Sequence, residues 1–222
     1  MNILYHFVLS APARALRLQL CEYGIAFQTQ DRLPWQRDEA FLALNPAGTL
    51  PVLQMPQRVI LCGLRSASEY IEDTHEGAFL LGKNAGERAE IRRLLDWFET
   101  KFEREVLRPL VGERVIKRFE SGEAASSQLI RSASMNASVH LSYMNFLTEQ
   151  RSWLAGDDLS LADLLAAANL SVLDYFGDVD WDRYGEVKSW YMRLKSRPSF
   201  QPLLADLLPG LTPARHYTKI DF

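Results

Sequence analysis

The feature that most constrains the fold is a helix without a polar side. Within "DDLSLADLLAAANLSVLDYF", residues 157–176, small and apolar side chains follow on every face after Ser160. Ser160 stands three residues before Asp163. Its hydroxyl can accept from the Asp163 amide while the Asp163 carboxylate bonds back, an acidic form of the capping box. Because a helix that is apolar all round must be enclosed by other elements, we expect it to be the buried centre of a helical domain.

The segments around this helix also have helical periodicity. Strand signals disappear from Arg88 onward, and further helices are predicted at about residues 126–150 and 184–195. The helix that begins near Arg88 has an apolar stripe made of Ile91, Leu94, Leu95, Phe98, Phe102 and Val106. This spacing is typical of a long amphipathic helix. We expect an all-helical domain over residues 88–208 and an extended tail over residues 209–222.

The first third of the chain alternates between strand and helix patterns. "ILYHFVL", residues 3–9, predicts a strand that leads through a helix to a second strand at "AFQTQDRL", residues 26–33. A strand–helix–strand unit makes its two strands parallel. Pro51 then begins a strand that pairs with "RVILC", residues 58–62, as a hairpin, and a helix follows. These elements form a predicted domain over residues 1–77.

Composition excludes several classes of function. Apolar residues make up 47% of the chain, as in ordinary soluble globular proteins, and the net charge of −3 gives no electrostatic reason to bind nucleic acid. No window approaches ~18 uncharged apolar residues, so we also expect no insertion into a membrane. The only cysteines, Cys21 and Cys62, form no Cys-x-x-Cys pair, and the four histidines form no metal-ligand pattern. We therefore expect a cytoplasmic protein with reduced thiols and without a metal site.

Two segments carry a resemblance to the cytosolic glutathione S-transferase superfamily. "NPAGTLPVL", residues 45–53, is similar to the family's loop with a cis proline, here Pro51. "LAGDDLSLADLLAAA", residues 154–168, is similar to its helical-domain folding motif. The resemblance covers essentially the whole chain. It implies an α/β plus all-α fold, with a thioredoxin-like βαβ–ββα domain followed by a helical bundle, and a homodimer to which residues 88–106 contribute.

The resemblance also indicates where glutathione would bind. Ser10 stands where a serine-type transferase keeps the hydroxyl that holds the thiolate, although a serine there can simply cap the first helix. The backbone of Leu50, before Pro51, matches the position that pairs with the cysteinyl part. Gly63 and Leu64 occupy the positions where the family has a Glu-Ser or Asp-Ser pair that grips the γ-glutamyl group.

Glycine supplies no carboxylate and the leucine side chain donates no hydrogen bond. Losing a charged partner costs ~2–5 kcal/mol, and two such losses weaken a micromolar ligand to millimolar or beyond. We expect a degenerate site in which glutathione binds weakly or not at all, and no other cofactor. Arg65 has the wrong charge to replace the acid. Ser66 or water is expected to serve the open amides at the start of this helix.

Three segments are candidate partner-binding surfaces. Trp35, beside Arg37 on a polar connection, suits a partner interface or folds back onto the domain. Lys117 and Arg118 lie in a mixed-charge stretch that either binds a partner or is merely solvated. The aromatic tail is either tied across the protein's own surface or presented to a partner, and its candidate binding residues are His216, Tyr217, Asp221 and Phe222.

A narrower resemblance comes from "LYHF", "EAFLALNP", "WYMRLKSRPSF" and above all "SVLDYFGDVDW", residues 171–181. These segments are similar to bacterial cell-division proteins of the transferase fold that bind the tubulin-like FtsZ. The resemblance implies a non-catalytic adaptor that is recruited to the division site, organises or curves FtsZ filaments, and signals to cell-wall synthesis through its tail. Two alternatives remain open: a glutathione-dependent transferase, peroxidase or isomerase that uses Ser10, and a regulatory protein bound to another partner such as RNA polymerase.

Overall fold

The computed structural model describes residues 1–36 and 38–220. Its N-terminal part is built on a four-stranded sheet in the order β2-β1-β3-β4. The strands are β1 (Asn2–His6), β2 (Phe27–Asp31), β3 (Val52–Gln54) and β4 (Ile60–Cys62). β1 and β2 are parallel, whereas β3 is antiparallel to both β1 and β4. The predicted parallel pair and hairpin are confirmed, and the sheet is that of a thioredoxin-like domain.

Three helices accompany the sheet, namely α1 (Ala11–Glu22), α2 (Glu39–Leu44) and α3 (Leu64–Thr74). Side-chain oxygens cap the first two, since Ser10 accepts from the Ala13 amide and Asp38 accepts from the Phe41 amide. Each cap satisfies one amide that a helix start leaves open. α3 begins after Gly63 without any side-chain cap.

The helical part begins with one long helix, α4, which spans residues 85–120. Its consecutive segments are Ala85–Asp96, Trp97–Leu107, Arg108–Val111, Gly112–Ile116 and Lys117–Glu120. The second and fourth segments have π-helical hydrogen bonding, a geometry that turns side chains away from the regular helical positions. Every residue of the predicted apolar stripe is buried, so the amphipathic pattern is confirmed.

The other helices are α5 (Ser127–Thr148), α6 (Leu161–Phe176), α7 (Gly185–Lys195) and α8 (Gln201–Leu204). α6 is the central helix, with every residue from Leu161 to Tyr175 buried. The predicted capping box at its start is present. The Asp163 carboxylate accepts hydrogen bonds from the Leu154 amide, from the amide and hydroxyl of Ser160, and from the Trp190 indole. Burial raises the pKa of Asp163, and these donors offset part of that cost.

A buried arginine joins the sheet domain, the central helix and the tail. Arg14 on α1 is fully buried, and its Nη1 donates to the Ser171 hydroxyl of α6 at 2.7 Å and to the Tyr217 hydroxyl at 3.0 Å. The Tyr217 hydroxyl in turn donates to the Leu203 carbonyl. Neighbouring Arg17 forms a bidentate pair with Asp206. Two arginines of α1 therefore anchor the chain that follows α7.

The tail departs from the sequence-based expectation. Tyr217 is 0% exposed and stacks edge-on against Tyr175, so the prediction that its side chain contacts a partner is wrong. His216 lies 2.9 Å from Asp174, which also pairs with buried Lys195. The tail is thus held against the protein through Tyr217. The predicted binding residues Asp221 and Phe222 lie outside the described residues.

No helix in the described part of the chain is long and apolar enough to cross a membrane. The same residues contain no group of three or more His, Cys, Asp or Glu that could hold a metal ion.

The Asp163 cluster gives a first prediction. Asp163→Asn replaces one acceptor oxygen by an amide that faces donors, leaving buried donors unpaired, and should lower the free energy of unfolding by about 2–5 kcal/mol. Ser160→Ala removes one cap and should cost only about 1 kcal/mol. Urea unfolding followed by circular dichroism measures both. Equal effects of the two substitutions would contradict the central role of the carboxylate.

The anchored tail gives a second prediction. Deletion of residues 218–222 should leave the unfolding midpoint nearly unchanged, because it spares Tyr217. Deletion of residues 214–222 removes a buried aromatic ring and should cost about 3–5 kcal/mol, the usual cost of removing one from a core. Tyr217→Phe, which loses only the hydroxyl contacts to Arg14 and Leu203, should fall between them. The midpoint of thermal unfolding distinguishes the three variants. An unchanged midpoint after deletion of residues 214–222 would show that the tail is not anchored.

Candidate functional site

A cleft opens between the sheet domain and α4, at the start of α1. Its volume is about 320 Å³. The side facing the sheet domain is formed by Phe7, Leu9, Ser10, Ala11, Pro12, Pro34, Gly48, Thr49 and Leu50, and the side facing α4 by Glu103, Leu107, Val111 and Ile116. The structure thus brings Ser10 and Leu50 of the predicted glutathione site together. The polar side chains of the lining are those of Ser10, Thr49 and Glu103.

Ser10 has the environment of a helix cap. Its Oγ accepts from the Ala13 amide at 3.4 Å, and its backbone carbonyl accepts from Arg14. The hydroxyl proton stays available to donate into the cleft. The position of Ser10 thus permits a hydrogen bond to a ligand. The contact present in the structure is the cap of α1, in which Ser10 accepts from the Ala13 amide.

Glu103 also lines this cleft, although no motif in the sequence pointed to it. Its half-buried side chain lines the cleft, and burial raises the pKa of its carboxyl to about 7, with only the charge of Arg108 opposing the shift. An ionised carboxylate here repels a thiolate brought to Ser10. The sequence signal that could have identified it is the spacing of Glu103, Leu107 and Val111, which are four residues apart. This spacing puts an acidic residue on the same helical face as two apolar ones.

The other predicted glutathione positions lie around Pro51. The Leu50–Pro51 peptide is cis, as the motif predicts. The Gly63 amide donates to the Pro51 carbonyl at 2.8 Å, and Leu64 is buried in the core. The pair that would grip a γ-glutamyl group therefore consists of a residue without a side chain and one whose side chain faces inward.

The backbone at Gly63 explains why glycine suits this position. Its φ of 87° and ψ of 158° lie in a region that is nearly restricted to glycine. A side chain there would meet no heavy atom within 4 Å, so the cost of another residue is backbone strain of roughly 1–3 kcal/mol. An acidic residue at this position would carry that backbone strain, and only the free energy of ligand binding would offset it. Gly63 removes both the strain and the binding group.

The neighbouring polar residues do not replace the missing pair. Of the two expected partners for the start of α3, Ser66 is wrong, because its hydroxyl donates to the carbonyls of Cys62 and Gly63 and no amide donates to it. The other alternative, water, stays a prediction. Arg65 turns away to pair with Glu99 on α4. Ser66 and Arg65 are therefore engaged by the backbone before α3 and by α4, and no charged side chain in the first turn of α3 faces Pro51.

Trp35 does not stand free as an anchor for a partner. It stacks on Phe119 of α4 with ring centroids 5.5 Å apart and meets Phe7 edge-on at 5.9 Å. The alternative that it folds back onto the protein is therefore the one that the structure shows. A second cleft of about 460 Å³ lies beside it, lined also by exposed Leu207 and by Pro209.

The remaining candidate partner residues have intramolecular contacts. Lys117 pairs with Glu113 at 3.5 Å and with Glu123 at 3.6 Å, as a solvated charge network does. The exposed guanidinium of Arg118 lies over the Phe119 ring. Arg37 falls outside the described residues. Of the described basic candidates, neither Lys117 nor Arg118 lines the Ser10 cleft.

Comparison with known proteins agrees with this architecture. Residues 9–74 match the family model of the glutathione S-transferase N-terminal domain, and residues 128–198 match that of the C-terminal domain. FtsZ-localized protein A of Caulobacter vibrioides is 44% identical over 222 residues, which is 99% of this chain and 97% of that protein.

Two solved structures are similar over the full length. A glutathione S-transferase from Rhodospirillum rubrum F11 superposes with a TM-score of 0.97 at 44% identity, and each chain is covered completely. FzlA from C. crescentus superposes with a TM-score of 0.96 at 43% identity, covering 100% of this chain and 99% of that one. Both family models and a full-length relative thus agree with the sheet, the cis proline and the capping box: this chain belongs to the glutathione S-transferase family.

Proposed function

We propose that this protein is a non-catalytic adaptor that associates with FtsZ in bacterial cell division. The observation that carries the proposal is the likeness to FtsZ-localized protein A, at 44% identity over 99% of this chain, which leaves almost no segment unmatched. The adaptor acts in the cytoplasm, is recruited to the division site, and organises or curves FtsZ filaments. Through its tail it signals to the septal cell-wall synthesis machinery.

The geometry of the Ser10 cleft supports a role without glutathione chemistry. Gly63 and Leu64 offer neither the acid nor the hydroxyl that would hold the γ-glutamyl group. Glu103 places an acidic side chain where a thiolate would have to form. The two effects act on different parts of the same ligand, so both the binding of glutathione and its activation are disfavoured.

A homodimer supplies the physical basis for acting on filaments. Two copies of one weak binding surface crosslink a polymer through avidity that a single copy lacks. On α5, Met135, Val139 and Phe146 expose 67%, 64% and 52% of their surfaces and share one helical face. We infer that this face is covered by the second copy, together with residues 88–106 of α4.

The anchored tail limits which residues reach a tail receptor. Tyr217 is buried and His216 pairs with Asp174, whereas the described residues that follow, 218–220, are exposed to a partner such as the cell-wall synthesis machinery. We therefore assign the tail signal to residues 218–222 and the FtsZ contact to the folded body.

A glutathione-dependent enzyme that uses Ser10 is the second candidate. The observation that favours it is the Rhodospirillum rubrum glutathione S-transferase, which is as similar to this chain as FzlA is. The position of Ser10 in an open cleft is compatible with this chemistry. The same enzyme class includes conjugating transferases, peroxidases and isomerases.

Association with FtsZ is tested by co-sedimentation. The full chain at micromolar concentration should pellet with assembled FtsZ and stay in the supernatant with unassembled FtsZ. The chain lacking residues 218–222 should pellet equally well, because the FtsZ contact lies on the folded body. Absence of the full chain from the pellet would refute the proposal, and selective loss on truncation would move the contact to the tail.

Glutathione binding is tested by calorimetry. Titration with millimolar glutathione should give no saturable heat, because the missing contacts are expected to weaken binding to millimolar or beyond. Ser10→Ala serves as the matched variant and should give the same flat titration. Saturable heat in the unmodified chain that disappears in Ser10→Ala would favour the enzyme.

A further inference from the structure

We propose that the Ser10 cleft is a binding site for a small organic cation, a primary ammonium group on an apolar chain, with Glu103 as its counter-ion. This inference does not rest on the association with FtsZ, since it concerns only the residues that line the Ser10 cleft. The proposed ligand also differs from glutathione, which carries a net negative charge and reacts through a negatively charged thiolate.

The cleft has the shape and lining that such a ligand needs. Its volume of about 320 Å³ accommodates a short alkyl chain, and its walls are largely apolar, with Leu9 and Pro12 on one side and Leu107 and Ile116 on the other. Transfer of each methylene group from water into such a lining contributes ~0.8 kcal/mol. The apolar part of the ligand is therefore bound by the walls.

The charge in the cleft is uncompensated. Among the residues that the structure describes, none forms a hydrogen bond or an ion pair with the side-chain carboxylate of Glu103. Within residues 1–36 and 38–220, Arg108 on the same helix is the one charge that acts noticeably on it, and the described residues that line the cleft from the sheet domain are uncharged. A half-buried carboxylate without a partner is costly in free energy. An ammonium group seated in the cleft removes that cost.

Hydroxyl groups complete the polar end of the site. Ser10 and Thr49 line the same cleft, and their oxygens can accept from an ammonium group. An ammonium has three donors, so one carboxylate and two hydroxyls match it in number. A carboxylate ligand would instead meet Glu103 as a like charge and would be rejected.

Binding should depend on pH in a defined direction. Burial raises the pKa of Glu103 to about 7, so the empty site loses a proton as the pH rises through neutrality. The cation needs the ionised carboxylate, and alkylammonium ions stay charged throughout this range. Affinity should therefore increase from about pH 6 to about pH 8.

The test uses two probes of equal chain length, n-octylammonium and n-octanoate. Calorimetry with the full chain should show saturable binding of n-octylammonium, at least roughly tenfold tighter than n-octanoate and tightening between about pH 6 and pH 8. Glu103→Gln should lose the preference for the cation and its pH dependence. Glu120→Gln, an exposed residue at the end of the same helix, should behave like the unmodified chain.

A structural readout keeps the test decisive. Glu103→Gln removes an unpaired charge from a half-buried position, so its thermal midpoint at about pH 8 should equal or exceed that of the unmodified chain. Equal affinity for n-octylammonium and n-octanoate, or an unchanged cation preference in a folded Glu103→Gln variant, would overturn the proposal. Absence of any n-octylammonium binding would overturn it as well.

Discussion

The buried guanidinium of Arg14 is the contact through which the separate parts of this protein become one body. It lies on α1, within the sheet domain, and donates both to the hydroxyl of Ser171 in the central helix and to Tyr217 in the tail. Hydrogen bonds to its donors offset the cost of burying an arginine, and these two partners come from two distant stretches of sequence. One buried guanidinium therefore links the sheet domain, the helical domain and the tail, in addition to the core that they share.

This arrangement explains how the fold can persist without a bound ligand. The core passes through α1, α4 and α6 and does not depend on any group that a glutathione molecule would supply. Gly63 adopts a backbone conformation that an acidic residue could hold only under strain, and Leu64 contributes to the core. Replacing a ligand-binding pair by these two residues thus favours stability. The cleft remains, but its one ionisable group, Glu103, selects for positive charge.

Local patterns allowed most of the fold to be predicted. The capping box at Ser160 and Asp163, the stripe of α4 and the cis proline each depend on residues close in sequence, and all three are present. The contacts of the candidate site residues could be predicted less completely. Burial of Tyr217 depends on Arg14, more than 200 residues away, and stacking of Trp35 on Phe119 crosses between domains. Neither contact leaves a periodic signal, so the sequence could not decide whether either side chain folds back onto the protein or contacts a partner. Ser66 was misjudged because a hydroxyl can donate as well as accept.

The central claim is that the transferase fold now serves FtsZ without engaging glutathione. The most direct measurement is co-sedimentation of the full chain with assembled FtsZ in the absence and presence of millimolar glutathione. The account predicts the same fraction of protein in the pellet under both conditions. A fraction that changes with glutathione would show that the ligand still binds, and absence from the pellet under both conditions would contradict the claim altogether.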